Sequence, residues 1–275
     1  MNYSRLIIVT TITVVFIYSL LYPFITDNRT SESEISDNDT KKPIVNIEKP
    51  LHNVELPNFA AINDVRAKKK QFFSFIQPAV VKENKRILAL RKQLLAIKAI
   101  HDNSEPLSEQ NIELIKELGK RYRVKSTNLA LQLDALLIKI DIIPKALILV
   151  QAANESAWGT SRFARIGLNF FGIWCYQKGC GMVPNSRNEG ADHEVAAYSS
   201  VDQAVQRYLK NLNTNQAYAV FRTIRKQLRD NDQPLSPNVL ATGLLPYSER
   251  GSAYVEEISD MIRHNQHYFA TDTGS

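Results

Sequence analysis

Apolar positions fall at helical spacing along most of the chain, and in one unbroken run near its start. Leu6 to Tyr22 holds no charged residue. At 1.5 Å per residue that run has the length of a short bilayer-spanning helix. No small-x-small cleavage pattern follows it, so an uncleaved transmembrane anchor over 1–25 is the first reading, with a cleaved signal and a buried core helix behind it. Arg5 ahead of the span predicts a cytoplasmic N-terminus and an exported body. Residues 26–58, rich in Ser, Thr, Asn and Asp, read as a flexible linker. From Phe59 the spacing turns helical. In NKRILALRKQLLAI, Ile87, Leu88, Leu90, Leu94, Leu95 and Ile97 fill one broad face and Lys85, Arg86, Arg91, Lys92 and Lys98 the other. Pro78 is expected to break the chain before this helix. Ser108 caps a helix through ELIKELGKRY, and NLALQLDALLIKI supplies another. Residues 59–125 therefore read as an N-terminal helical subdomain that packs and supports, and 126–270 as the domain that carries chemistry.

Pro144 opens the helix on which that chemistry depends. Ile148, Gln151, Ala152 and Glu155 share one face at steps of three and four, so a carboxylate continues an apolar surface. Gly159 is expected to end or bend this helix. Two readings of Glu155 follow. Taken out of water, a carboxylate resists ionising and becomes a general acid able to protonate a leaving oxygen; or it is a structural residue paired with Arg162 or Arg165. Beyond it, GLNFFGIWCYQKGCGMVP reads as loop and short extended structure. HEVAAY alternates as a strand, with Glu194, Ala196 and Tyr198 on one face, and a hairpin partner lies near Met182. In SSVDQAVQRYLKNL, Ser200 and Gln203 form a capping box ahead of a clean apolar stripe. Two or three more helices complete a mostly helical α+β chain with a small β-hairpin.

Composition narrows the class. At 275 residues, 44% hydrophobic and 23% charged, the chain is globular. Its net charge of +6 is uneven, since seven acids against four bases in residues 26–58 leave the folded body at about +8. A polyanionic partner fits, and anionic wall polymer or phospholipid headgroups suit an exported protein; no nucleic acid is expected, because aromatics are not interleaved with the basic residues. Cys175 and Cys180 are close enough in sequence to close a small loop in an oxidising compartment, the alternative being two free thiols. No metal is expected: a zinc site needs four ligands, and His264 and His267 lack companions. Ser156 and Ser161 lack a nucleophile's context, and Cys175 would need His193 beside it. Trp174, Tyr176 and Phe170 read first as core and second as sugar-stacking residues.

The order of several motifs adds a resemblance. NESAWGTSRFA followed by GLNFFGIW resembles the ESGWG and NNLFGIK motifs of the peptidoglycan N-acetylglucosaminidases of glycoside hydrolase family 73. VPNSR, HEVAAYSS, YLKNLNTNQAYAVFRTIR and LLPYSERGSAYVEEI are more similar still to a membrane-anchored group from Gram-negative bacteria, and the similarity spans about Lys68 to His264. It implies a lysozyme-like helical domain and cleavage of the β-1,4 bond after N-acetylglucosamine in peptidoglycan glycan strands. It also implies no cofactor, and a single-pass inner-membrane protein whose catalytic domain faces the periplasm. By the same resemblance Glu155 is the general acid, Tyr218 stabilises the transition state or binds sugar, and Asn169 and Phe171 line the groove. Trp158 and Tyr198 join them as substrate-facing residues. Glu194, with Glu189 and Asp192 behind it, is the candidate second carboxylate, an ordinary surface role being the alternative. Carboxyls about 5–5.5 Å apart would suit a retaining nucleophile and about 6.5–9.5 Å an activated water, while a 2-acetamido sugar offers its own attacking group. A lytic transglycosylase and a catalytically idle wall-binding protein are the competing functions.

Overall fold

Helix ends and buried faces account for most of the architecture in this computed structural model, which describes residues 48–184 and 193–269. Helix α1 (Val65–Asp102) starts at Asp64, whose side chain accepts the Ala67 N–H. It runs unbroken through Pro78, against expectation. That proline lies on the exposed face, where the carbonyl it leaves unpaired can meet water, while Phe72, Phe73, Ile76, Ala79 and Val80 are locked in the core around it. Helices α2 (Glu109–Arg121) and α3 (Leu129–Lys139) begin at caps Ser108 and Asn128. Helix α4 (Lys145–Glu155) follows Pro144 and is buried without interruption from Leu147 to Ala153.

A short helix α5 (Arg162–Gly167) leads to three small strands, β1 (Trp174–Cys175), β2 (Gly181–Met182) and β3 (Glu194–Ala196). Their order is β1-β3-β2, antiparallel, with Trp174 opposite Val195 on one side and Met182 opposite Val195 on the other. The expected two-stranded hairpin is thus a three-stranded sheet, because the Cys175–Cys180 disulfide folds β1 and β2 onto both edges of β3. Alternation along β3 holds: Val195 packs with Ile166 and Met182, whereas Ala196 joins the main core. The chain continues through α6 (Val201–Thr214), a 3-10 turn at Gln216–Tyr218, α7 (Ala219–Asp230), α8 (Pro237–Ala241), a second 3-10 turn at Thr242–Tyr247, α9 (Ser252–His264) and α10 (Gln266–Phe269). At the start of α6 the Ser200 hydroxyl accepts the Gln203 N–H, and the Gln203 side chain reaches back one residue further than a standard box, to the Ser199 N–H.

Helix α1 packs against α3, α4 and α6. One buried cluster runs from Phe59 to Ile262, so residues 59–125 and those after them share a core. The linker reading ends too late: Leu51 donates its N–H to the Ile166 carbonyl at 2.8 Å, Val54 and Leu56 pack on the core, and Glu48 pairs with Arg162. The single-pass inner-membrane placement is also corrected. Among the described residues no helix is long and apolar enough to cross a membrane; the longest, α1, has charged residues along its whole length. The span Leu6–Tyr22 itself lies outside the described residues.

Two local arrangements hold α4 at both ends. Ahead of it, buried Asp141 accepts two hydrogen bonds at 3.0 Å from Arg229, and the fully buried Arg225 donates to the Asp141, Ile142 and Ile138 carbonyls and to the Asn213 side chain. After it, Ala157, Trp158 and Gly159 are left-handed in succession, at φ 49°, 59° and 77°. The Ser156 hydroxyl ties this turn together by donating to the Ala152 carbonyl and accepting the Gly159 N–H, so it has a structural partner on each side. Asp141→Asn is expected to lose about 3 kcal/mol in urea denaturation, since it strips the counter-charge from buried arginines. Ala157→Gly is expected to gain about 1 kcal/mol in the same experiment, because an exposed alanine there bears a left-handed penalty that glycine does not.

Candidate active site

Glu155 is the last residue of α4, one turn beyond the buried Gln151, so the helix delivers its carboxyl to the edge of the core. Burial is the largest influence on it and raises its pKa above the ordinary carboxylate value; hydrogen bonds from Tyr254 and Asn154 oppose the rise. Of the charges around it, Glu257 pushes the pKa up and Arg250 pulls it down, and those two form an ion pair of 2.8 Å. Neither Arg162 nor Arg165 serves as its partner. Arg162 is held by Glu48 and the Val183 carbonyl, and Arg165 donates to the Thr160 carbonyl.

A directed chain of hydrogen bonds ends on this carboxylate. Tyr208 of α6 donates to the Gln151 carbonyl oxygen, the Gln151 amide donates to the Tyr254 hydroxyl at 2.9 Å, and Tyr254 of α9 donates to Glu155 Oε1 at 2.8 Å. Each donor is spent on the next acceptor, which fixes both the amide orientation and the phenol rotors. Rings close around the chain. Phe171 stacks on Tyr208 at 4.1 Å, Tyr247 stacks on Tyr254 at 5.6 Å and donates to the Phe171 carbonyl at 2.8 Å, and Tyr218 leans on Tyr247 at 5.9 Å. Burial, then the negative charge of Glu155, pushes the Tyr218 phenol up to about 12. Near neutral pH it is a proton-bearing donor beside the acid. Arg222 places it, donating to the Leu212 and Asn215 carbonyls just ahead of the 3-10 turn that holds Tyr218.

Asn169 is buried, and its amide donates to the Ile173 and Ala196 carbonyls while its oxygen accepts the Phe171 and Ile173 N–H groups. Its hydrogen bonds go to the loop and not to open space. That loop carries Gly172, at φ 64°, past the acid, where an added Cβ would stand 3.9 Å from Glu155 Oε2. Glu155, Tyr218 and Phe171 are therefore brought together, with Asn169 as the brace of the loop between them.

The other expected residues lie elsewhere. Trp158 meets the edges of Phe72 and Phe73 at 5.8 and 5.2 Å, with the Lys69 ammonium 5.2 Å over its ring, in the aromatic cluster on α1. Glu194 is buried and its two oxygens accept the Gly179 and Gly181 N–H groups at 2.9 and 2.8 Å, which makes it the brace of the disulfide loop. The two sulfurs and this carboxylate lie within 4.8 Å of one another, but sulfurs joined as Cys175–Cys180 are not thiolate ligands. Tyr198 is buried, its hydroxyl lacks a hydrogen-bond partner among the described residues, and desolvation pushes it up to about 12. Phe170 is core as read, whereas Trp174 and Tyr176 are 52% and 74% exposed. Glu189 and Asp192 lie outside the described residues. Tyr208, Tyr247 and Tyr254 were not singled out from sequence. The spacing of Gln151 and Glu155, one turn apart, and the paired tyrosines of PYSERGSAY were the signals for them.

Comparison with known proteins places the chain in a family. A family model described as mannosyl-glycoprotein endo-beta-N-acetylglucosaminidase matches residues 131–267, which take in Glu155, Tyr218 and Tyr254. Protein bax of Escherichia coli (strain K12) is 32% identical over 217 residues, covering 78% of this chain and 76% of that protein. No solved structure matches the chain. By the family match and the extent of that relative, the chain belongs to the glucosaminidase family of glycoside hydrolases.

Proposed function

We propose that the protein cleaves the β-1,4 bond after N-acetylglucosamine in peptidoglycan glycan strands, with Glu155 as general acid. The observation that carries this reading is the hydrogen-bond chain ending on a carboxyl whose pKa is raised by burial. In the step itself Glu155 gives its proton to the leaving glycosidic oxygen as the C1–O bond breaks, and water completes hydrolysis at C1. Tyr218 stays protonated and offers a dipole to the positive charge that grows on the sugar ring. Asn169 and Phe171 hold the loop that shapes this side of the groove. Glu194 contributes by keeping the disulfide loop in place.

A second reading has one observation in its favour. Among the described residues Glu155 is the carboxyl that receives the tyrosine chain, and one acid/base suffices for a lytic transglycosylase, in which the sugar's own hydroxyl attacks in place of water. Mass spectrometry of digested sacculi distinguishes the two. Reducing N-acetylglucosamine ends support hydrolysis, whereas anhydro-muramic ends would sink it.

Glu155→Gln is expected to lower turnover of sacculi by about 10²–10⁴-fold. It should do so without loss of fold. A buried acid with a raised pKa contributes stability fully present below its unfolded pKa and lost as pH rises through the folded one, so at pH 7 the charged carboxylate is the destabilised form. The glutamine variant should therefore melt no lower than wild type at pH 7. A lower melting point would mean that the activity loss reports unfolding. Tyr254→Phe removes a hydrogen bond that favours the carboxylate, which raises the Glu155 pKa further. The falling alkaline limb of kcat against pH should move to higher pH; a shift to lower pH, or none, would remove Glu155 from the role of acid.

A further inference from the structure

The face of α6 that turns away from the core carries Arg207, Lys210, Asn211 and Thr214, at steps of three, one and three. These residues line a cavity of about 410 Å³, closed on its other sides by Arg123 and by Trp174 and Tyr176 of the disulfide loop. Its polarity is unusual for this molecule. Several other cations are paired with carboxylates, Arg86 with Glu83, Arg162 with Glu48 and Arg229 with Asp141. Arg123, Arg207 and Lys210 have no carboxylate partner among the described residues. They also crowd one another: burial first, and then Arg207, Arg121 and Arg123, pull the Lys210 ammonium below its ordinary value. Unrelieved positive charge in a concave, partly dry place attracts an anion from outside the chain.

Three features say what kind of anion. Tyr176 is largely exposed, and Trp174, one face of which stacks on His193 at 4.1 Å, stays half exposed, on a loop closed by the disulfide and braced by Glu194, and sugar rings pack on surfaces of this sort. Gln177, which also lines the cavity, supplies an amide of the type that reads sugar hydroxyl and acetamido groups. The cavity is also continuous in sequence with the acid's surroundings: Ile173 in its wall follows Gly172, which passes Glu155, and Asn211 hydrogen-bonds Tyr218.

We propose that this pocket binds a carboxylate-bearing sugar of the glycan strand, adjacent to the unit whose bond is cut. The proposal rests on the peptidoglycan reading of the site and names the feature by which a wall strand is told from a neutral polymer of N-acetylglucosamine. The carboxylate has two sources in the wall, the lactyl ether of muramic acid when unsubstituted and the acidic peptide that it otherwise bears. Either is met by the same cations.

The test is calorimetric binding to the full chain carrying Glu155→Gln, so that turnover does not intervene. Three ligands of matched length are compared: peptide-bearing glycan strands, strands stripped by an amidase to leave free lactyl carboxylates, and neutral N-acetylglucosamine oligomers. Adding Arg207→Gln with Lys210→Gln should weaken binding of a charged ligand by about tenfold or more and leave the neutral oligomer unchanged. A loss confined to the peptide-bearing strand assigns the peptide carboxylates, a loss confined to the stripped strand assigns the lactyl group, and a loss on both assigns the carboxylate as a class. Arg207→Gln alone, at an exposed position, gives the same contrast at smaller size if the double variant is unstable. Undiminished binding of both charged ligands, or an equal loss on the neutral oligomer, overturns the proposal. Should wild type release no ends from sacculi while the charge contrast holds, the hydrolase reading falls and the pocket stands.

Discussion

Everything at the candidate site follows from one constraint, that a carboxyl placed at the end of a buried helix has lost much of its water. The loss is what makes Glu155 useful, because it favours the protonated form. It is also a hazard, since a half-dry carboxylate without donors would tilt the helix end toward solvent. The tyrosine chain resolves the two demands together. Hydrogen bonds from Tyr254 and Asn154 hold the carboxyl in place, and both are neutral donors, so they orient the acid while opposing the rise in pKa less than a paired arginine would. Gln151 and Tyr208 then keep Tyr254 pointing the right way. Arg250 is near enough to act on Glu155, yet its charge is shared with Glu257, and burial prevails.

Such an arrangement needs a rigid backing, and the fold supplies it from both ends of α4. The Asp141 and Arg225 network pins the approach to the helix onto α3 and α7. The left-handed turn at 157–159 reverses the chain immediately after Glu155, so no further helical turn covers the carboxyl. Gly159 is required in that turn by packing as well as by φ, since a Cβ there would stand 2.5 Å from the Phe59 ring. Ala157 has no such excuse and bears the strain of a sequence that departs from the ESGWG pattern at that position.

Helical periodicity made most of the scaffold legible. Caps at Ser108 and Ser200, the buried α4 and the opposite faces of β3 all follow from local rules. What failed were places where tertiary context overrode them. Pro78 does not break α1, because its exposed side tolerates a missing N–H while the buried side holds the helix together. Trp158 follows Glu155 closely in sequence, but the turn sends its ring to Phe72 and Phe73. Glu194 has the chemistry of a second carboxylate and spends it on two backbone N–H groups. The tyrosines that do surround the acid come from α6, the second 3-10 turn and α9, and local patterns do not encode which distant segments meet.

The distribution of positive charge separates two tasks that would otherwise conflict. A cation beside Glu155 would favour its ionised form and weaken it as an acid. Arg207 and Lys210 sit on the outer face of α6 with Arg123 across the pocket from them, and none of the three is among the groups that shift Glu155. Tyr208, on the same helix, faces the opposite way, into the tyrosine chain. One helix thus presents neutral hydrogen bonding to the acid and net positive charge to the pocket. Under the proposed binding of an anionic strand at the pocket, the protonation of Glu155 is still set by burial and by its neutral donors, so affinity for charge and acid strength can vary independently.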